Sequence, residues 1–290
     1  MAASSEVAPA AREGRDSVLV RFASGAVFVP IFILLARRGG VFYLGFVLLF
    51  VFLGLLEFYR LLAAKGERPY RALGVAAGLL LVVSAYFQVG VHANLLLTLV
   101  LLITMVSELF QSDHRGAVDA IGGTLFGVFY VAWLGSHLVF LRELPLLAGL
   151  DYARGAQFVL FLFLCTWGTD TGAYVTGRTW GRHPLLPAVS PKKSVEGVLG
   201  GLAAGAGLGL VGGLTFVPLF GPVRGVLLGL LIAVSAMLGD LVESLLKRDA
   251  ACKDSAAAMT IPGHGGVLDR FDSILFAAPA FYYVLRSILL

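Results

Sequence analysis

The chain has 290 residues, enough for one or two soluble domains, but 58% of them are hydrophobic and only 14% are charged. With a mean hydropathy of +0.89, that balance excludes an ordinary soluble fold and describes a polytopic membrane protein. A net charge of +4 offers no basic surface for nucleic acid, and two cysteines, Cys165 in an apolar run and Cys252 in a charged loop, offer neither a disulfide framework nor metal-ligand spacing.

Residues 1–16 are polar, with mixed charges, and read as a disordered N-terminus. The run Val18–Ala36 is too long for the apolar stretch of a signal peptide and is preceded by Glu13 and Asp16. It reads as a first transmembrane helix, with Arg21 reaching to the interface. Eight further apolar runs follow, at about 40–59, 72–90, 93–110, 119–141, 157–177, 195–217, 223–246 and 272–289. Each is close to the roughly 20 residues a bilayer requires. The expected fold is therefore an all-α bundle of about nine transmembrane helices. Spans 1–5 (17–150) form an N-terminal bundle and spans 6–9 (151–290) a second region, with polar loops at 178–194 and 247–271. The Gly/Ala-rich stretch 197–213 reads as a closely packed helix.

Lys and Arg orient the bundle. The N-terminal segment and the loops after spans 2, 4, 6 and 8 hold 16 of them, and the other loops with the C-terminal end hold 6. The N-terminus and both polar loops are thus expected on the cytoplasmic side.

Those loops carry the chemistry. Span 6 ends with Asp170, Tyr174 and Arg178, one residue every four, forming a polar stripe on one helix face. Lys192, Lys193 and Ser194 then precede span 7, a position where helix amides and dipole add to their charge in holding a polyphosphate. Asp240, Glu243, Ser244 and Lys247 share a face at the end of span 8. After Arg248, Lys253 and Asp254, the segment Pro262-Gly263-His264-Gly265-Gly266 cannot continue a helix and gives a bare backbone able to approach a ligand. Asp269, Arg270 and Asp272 open span 9, with both aspartates on one side. Charges at the mouth of a membrane helix are costly unless they bind something. Magnesium takes one or two carboxylates plus phosphate oxygens, so these residues suit a metal–polyphosphate complex better than a closed metal cage. A lone lysine at a membrane edge is usually an interfacial anchor, and Glu57, beside Arg60, and Glu108 read as structurally paired acids. No P-loop or dinucleotide-binding glycine motif is present.

Ser244-x-x-Lys247-Arg248, Lys253-Asp254 and His264-Gly265-Gly266-x-x-Asp269-Arg270-x-Asp272 together resemble the motif of the phosphatidate cytidylyltransferases, with a spacer at 255–261 about two residues longer than usual. The 165–197 segment resembles that family's upstream motifs, in which Thr is commoner than Ser at position 194. The resemblance covers roughly 165–275. It implies transfer of CMP from CTP to phosphatidic acid, giving CDP-diacylglycerol and pyrophosphate, with Mg²⁺ required.

For that reaction, the chemistry of the residues gives each an expected role, the metal ligands by analogy with a bridged metal pair. Asp240 and Asp269 are the principal metal ligands, with Asp272 and Asp170 as further candidates. Lys247, Arg248 and Lys253 act in catalysis, and Lys192, Lys193, Ser194, Tyr174, Arg178, His264, Gly265, Gly266 and Arg270 bind substrates. CTP and phosphatidic acid are the expected partners, with the protein multi-pass in the cytoplasmic (inner) membrane and a homodimer left open. Rival readings are another CTP-using lipid enzyme, such as a polyprenol or diacylglycerol kinase, or an ion-coupled transporter. A transporter's acids belong near the bilayer midplane, whereas these gather at helix ends.

Overall fold

The computed structural model describes residues 26–88, 90–250 and 266–290. They form an all-helical bundle carrying one small hairpin. A first helix, α1, occupies 26–38. It turns at Gly39 (φ 65°) into α2, Gly40–Ala64, with α3 at Arg71–Tyr86 and α4 at Gly90–Glu108. One long rod runs from Ala117 to Leu147: α5 (Ala117–Gly127), a π-helical stretch (Val128–Trp133) and α6 (Leu134–Leu147). Then come α7 (Ala153–Trp180), strands β1 (Pro184–Leu186) and β2 (Ser190–Ser194), α8 (Val195–Leu214), α9 (Gly221–Asp249) and α10 (Leu268–Leu289).

Among the described residues every predicted apolar run overlaps a helix, but six helices are long and apolar enough to cross a membrane: α2, the 117–147 rod, α7, α8, α9 and α10. The third run falls short for a local reason. Gln88 adopts φ 55° and donates its Nε2 to the Glu143 carbonyl at 3.2 Å, and α3 has already ended at Tyr86. Its 16 residues rise only about 24 Å at 1.5 Å each.

Aromatic side chains fill the core where α1, α2, α7 and α10 meet. Phe32 lies 4.2 Å from Phe163 and Phe50 lies 4.3 Å from Phe271, ring centre to ring centre. At the far end of α6, buried Arg142 fastens the α1–α2 turn. Its Nε donates to the Ala36 carbonyl at 2.8 Å and its Nη1 to the Tyr152 carbonyl at 3.1 Å. The adjacent Glu143 accepts from the Tyr152 hydroxyl at 2.8 Å.

Glycine sets the spacing of α7, α8 and α9. Gly205, Gly209 and Gly213 on α8 face Gly221, Gly225 and Gly229 on α9. A Cβ on Gly209 would strike the Gly225 carbonyl, and one on Gly225 would strike the Gly209 carbonyl. Backbone therefore packs on backbone along this seam, as small residues permit where lipid gives helices no hydrophobic drive to associate. On the other side of α8, Gly172 approaches Gly200 and Ala204, and Gly177 approaches Gly197.

Candidate active site

Five helix ends converge at one end of the bundle: the C-terminal ends of α2, α7 and α9 and the N-terminal ends of α8 and α10. Lys65, just past α2, donates to Asp249 at 2.6 Å and pairs with Glu67 at 3.1 Å. Those hydrogen bonds, from Asp249 first, raise the Lys65 ammonium above its ordinary value.

Between α7, the hairpin, α8, α9 and α10 lies a cavity of about 660 Å³. Asp170, Tyr174 and Arg178 line it from α7, and the Arg178 guanidinium donates to the Tyr174 hydroxyl at 2.6 Å. Lys192 and Lys193 line it from β2 and Asp240 from α9, while Asp269, Asp272 and Ser273 come from the first turns of α10. The stripe read from the four-residue spacing on α7 thus faces the same space as acids about seventy to a hundred residues downstream.

In the 178–194 segment, which the sequence reads as a loop, α7 continues to Trp180 and a β-hairpin follows over 184–194. Pro184 pairs with Ser194 and Leu186 with Ser190, antiparallel. Proline at 184, 187 and 191 hides the strands from periodicity, and short solvent-exposed strands depend on neighbours for support. Those neighbours are visible. Glu196 accepts from His183 Nδ1 at 2.5 Å and from the Arg182 amide at 3.1 Å, and Arg248 Nε donates to the Val189 carbonyl. Arg248, expected at the reacting phosphates, therefore spends its Nε holding the hairpin. Ser194, expected to bind substrate, lines the cavity, and its Oγ also caps α8, accepting from the Gly197 amide at 3.1 Å.

Ion pairs organise the cavity floor. Lys193 pairs with Asp240. Lys247 pairs with Glu243 at 2.6 Å and with Asp269 at 2.8 Å. Carboxylate oxygens of Asp240, Glu243 and Asp272 lie within 4.8 Å of one another. Sequence reasoning put Glu243 on the stripe but gave it no role. Its i, i+3 spacing from Asp240 is the signal, and its burial is what the sequence does not show. Asp272, ranked behind Asp269 from sequence, stands in the tight carboxylate group, while Asp269 reaches Lys247. A Cβ on Gly239 would meet the Asp272 carbonyl, so α9 and α10 touch at backbone level just there. That contact sets Asp272 beside Asp240.

Gly266 is buried just before α10, and Arg270 is exposed on its first turn. Lys253, His264 and Gly265, with the long spacer, lie outside the described residues.

This geometry agrees with what comparison with known proteins finds. Residues 19–288 match the Cytidylyltransferase family. A phosphatidate cytidylyltransferase of Synechocystis sp. is 34% identical over 283 residues, covering 91% of this chain and 94% of that protein. Phosphatidate cytidylyltransferases of Staphylococcus saprophyticus and Staphylococcus aureus are 38% and 41% identical over 164 and 156 residues. Those two alignments cover 56% and 53% of this chain and 59% and 56% of the relatives. The first alignment spans the N-terminal helices as well as the cavity, and the family match takes in every cavity residue; the chain belongs to the cytidylyltransferase family.

Proposed function

We propose that the chain transfers CMP from CTP to phosphatidate, releasing pyrophosphate and leaving CDP-diacylglycerol in the bilayer. The observation that carries this reading is the single cavity in which carboxylates of α7, α9 and α10 face the lysines of β2. Phosphatidate's phosphate has a second pKa of about 6, so near pH 7 it is largely a dianion and needs no protein base. Its oxygen bonds to the α-phosphorus of CTP while the bond to the β-phosphate oxygen breaks. The obstacle is an anion approaching a polyanion, and the residues answer it by positioning and neutralisation.

Lys192 and Lys193 take the triphosphate in this reading, with Lys193 leaving Asp240 to do so. Arg178 and Tyr174, on the exposed flank of α7, meet the lipid phosphate while the acyl chains stay in the bilayer. Lys247 holds Asp269 and Glu243 in place. Among the described residues that line the cavity, Asp170, Asp240, Asp269 and Asp272 outnumber Arg178, Lys192 and Lys193, so a nucleotide tetra-anion there calls for added positive charge. The donor set fits a divalent cation: three carboxylates stand within 4.8 Å, and the buried Glu243 Oε1 has no hydrogen-bond partner among the described residues. Asp240, Asp272 and Glu243, with Asp269 beside them, would hold magnesium, which supplies that charge when bound.

Labelled CTP distinguishes this reaction from a CTP-dependent kinase. With purified protein and phosphatidate vesicles, the label at the α-phosphate is expected in the lipid and the label at the γ-phosphate in pyrophosphate. Release of CDP instead overturns the proposal.

The chain is further proposed to cross the cytoplasmic membrane nine times with the cavity on the cytoplasmic side, as the Lys and Arg asymmetry supports. With Cys165 and Cys252 replaced, a cysteine at Arg182 is expected to be labelled only from the cytoplasm and one at Arg224 only from outside. Labelling of both from one face sinks this topology.

A further inference from the structure

The N-terminus of α10 carries Asp269 and Asp272, yet nothing in its own sequence caps it. Val267 occupies the capping position and no side chain of its own accepts from the first turn. Helix starts leave several amides without intrahelical acceptors, and in a buried setting each needs a partner. The partner comes from the other end of the chain. Glu57, on α2, is 3% exposed, and its Oε2 accepts from the Leu268 amide at 2.9 Å across 211 residues of sequence. One turn earlier, a Cβ on Gly54 would stand 3.0 Å from Val131 Cγ1 on the π-helical stretch and 4.0 Å, an ordinary van der Waals contact, from Leu268 Cδ1. The contact is thus a buried acceptor meeting an amide at the residue immediately before Asp269. A carboxylate at this end also complements the helix dipole.

We infer that Glu57 is a positioning residue for the transfer reaction, acting through the Leu268 amide to fix where α10 presents Asp269 and Asp272. Glu57 is not among the described residues that line the cavity. Its effect runs through the rotation and height of the first turn, which decide whether Asp269 meets Lys247 and whether Asp272 stands beside Asp240. The inference rests on the cavity reading for its consequence, but the hydrogen bond it depends on can be tested apart from any reaction.

The experiment compares Glu57→Gln with Glu57→Leu in the full-length protein, purified and returned to vesicles. Gln keeps a carbonyl acceptor, and Leu keeps the bulk while removing it. Hydrogen exchange of peptides from the 266–275 region, referenced to the 228–238 region of α9, reads the first turn directly. Leu is expected to speed exchange there about tenfold or more, with the α9 reference unmoved. It should also lower kcat about tenfold with little change in KM for CTP, because a small displacement of a reacting group is costly. Gln should hold both measures within about threefold of the unaltered protein. Unchanged exchange in Glu57→Leu overturns the inference, as does faster exchange with kcat per folded molecule intact. A Gln variant as impaired as Leu overturns the hydrogen-bond assignment. Should Leu fail to fold, Glu57→Asp, which withdraws the acceptor by one methylene, takes its place with the same expectations. Failure of the unaltered protein to transfer CMP would count against the proposed reaction, and the exchange comparison would still decide the role of Glu57.

Discussion

Replacing Asp240 or Asp269 by asparagine is expected to lower CMP transfer at least about a hundredfold, a loss of roughly 2.7 kcal/mol of transition-state stabilisation. Asparagine keeps the shape and removes the charge. At Asp240 the change deletes one of three clustered carboxylates and also strips Lys193 of its partner. At Asp269 it weakens one of the two ion pairs that fix Lys247, whose side chain is only 18% exposed. A general loss of fold is a competing explanation, so melting and gel-filtration behaviour in detergent should be measured on the same preparations and should match the unaltered protein. Magnesium titration adds a second readout, with half-maximal residual activity moving to higher concentration for Asp240→Asn. A folded variant that keeps more than about a tenth of the activity removes that aspartate from the site.

The second large effect is expected at Lys193. It lies on β2 beside the N-terminus of α8 and pairs with Asp240, so it stands between the acid cluster and the space proposed for the triphosphate. Lys193→Met should lose about tenfold or more in kcat/KM, and Lys193→Arg should fall between Met and the unaltered protein. Arginine keeps the charge but replaces a compact point donor with a flat fork. Lys192→Met should lose less, since Lys192 is the more exposed of the two and forms no such bridge to Asp240. The measurement is activity per inserted molecule across a CTP titration at saturating lipid. If both Met variants show unchanged kcat and KM, the two lysines are interfacial anchors and nothing more.

Much of this was legible in the sequence, and the reasons are local. Apolar runs near the length of a bilayer mark helices whatever they pack against, so each of the nine runs holds one. A four-residue spacing fixes a helix face, so Asp170, Tyr174 and Arg178 share a wall of the cavity. What the sequence hid depends on tertiary contact. Glu57 reads as half of a local pair with Arg60, because no periodicity announces an amide 211 residues away. The hairpin is masked by its prolines, and its stability comes from Glu196 and Arg248, which lie outside it. The order of Asp269 and Asp272 turned on a backbone contact at Gly239, and an isolated glycine in an apolar run does not say what it touches.

The glycine seam between α8 and α9 has a consequence for the way this protein meets lipid. Backbone packed on backbone has no rotamers to rearrange, so the two helices are expected to move as one board and not as two rods. A membrane whose hydrocarbon thickness departs from the apolar height of its helices makes them lean. A board leans whole. Lys193 at the foot of α8 and Asp240 on α9 are then expected to travel together through that inclination, so that changes in acyl length reach the pair as a common tilt; distances between labels on α8 and α9 in bilayers of different thickness would check this.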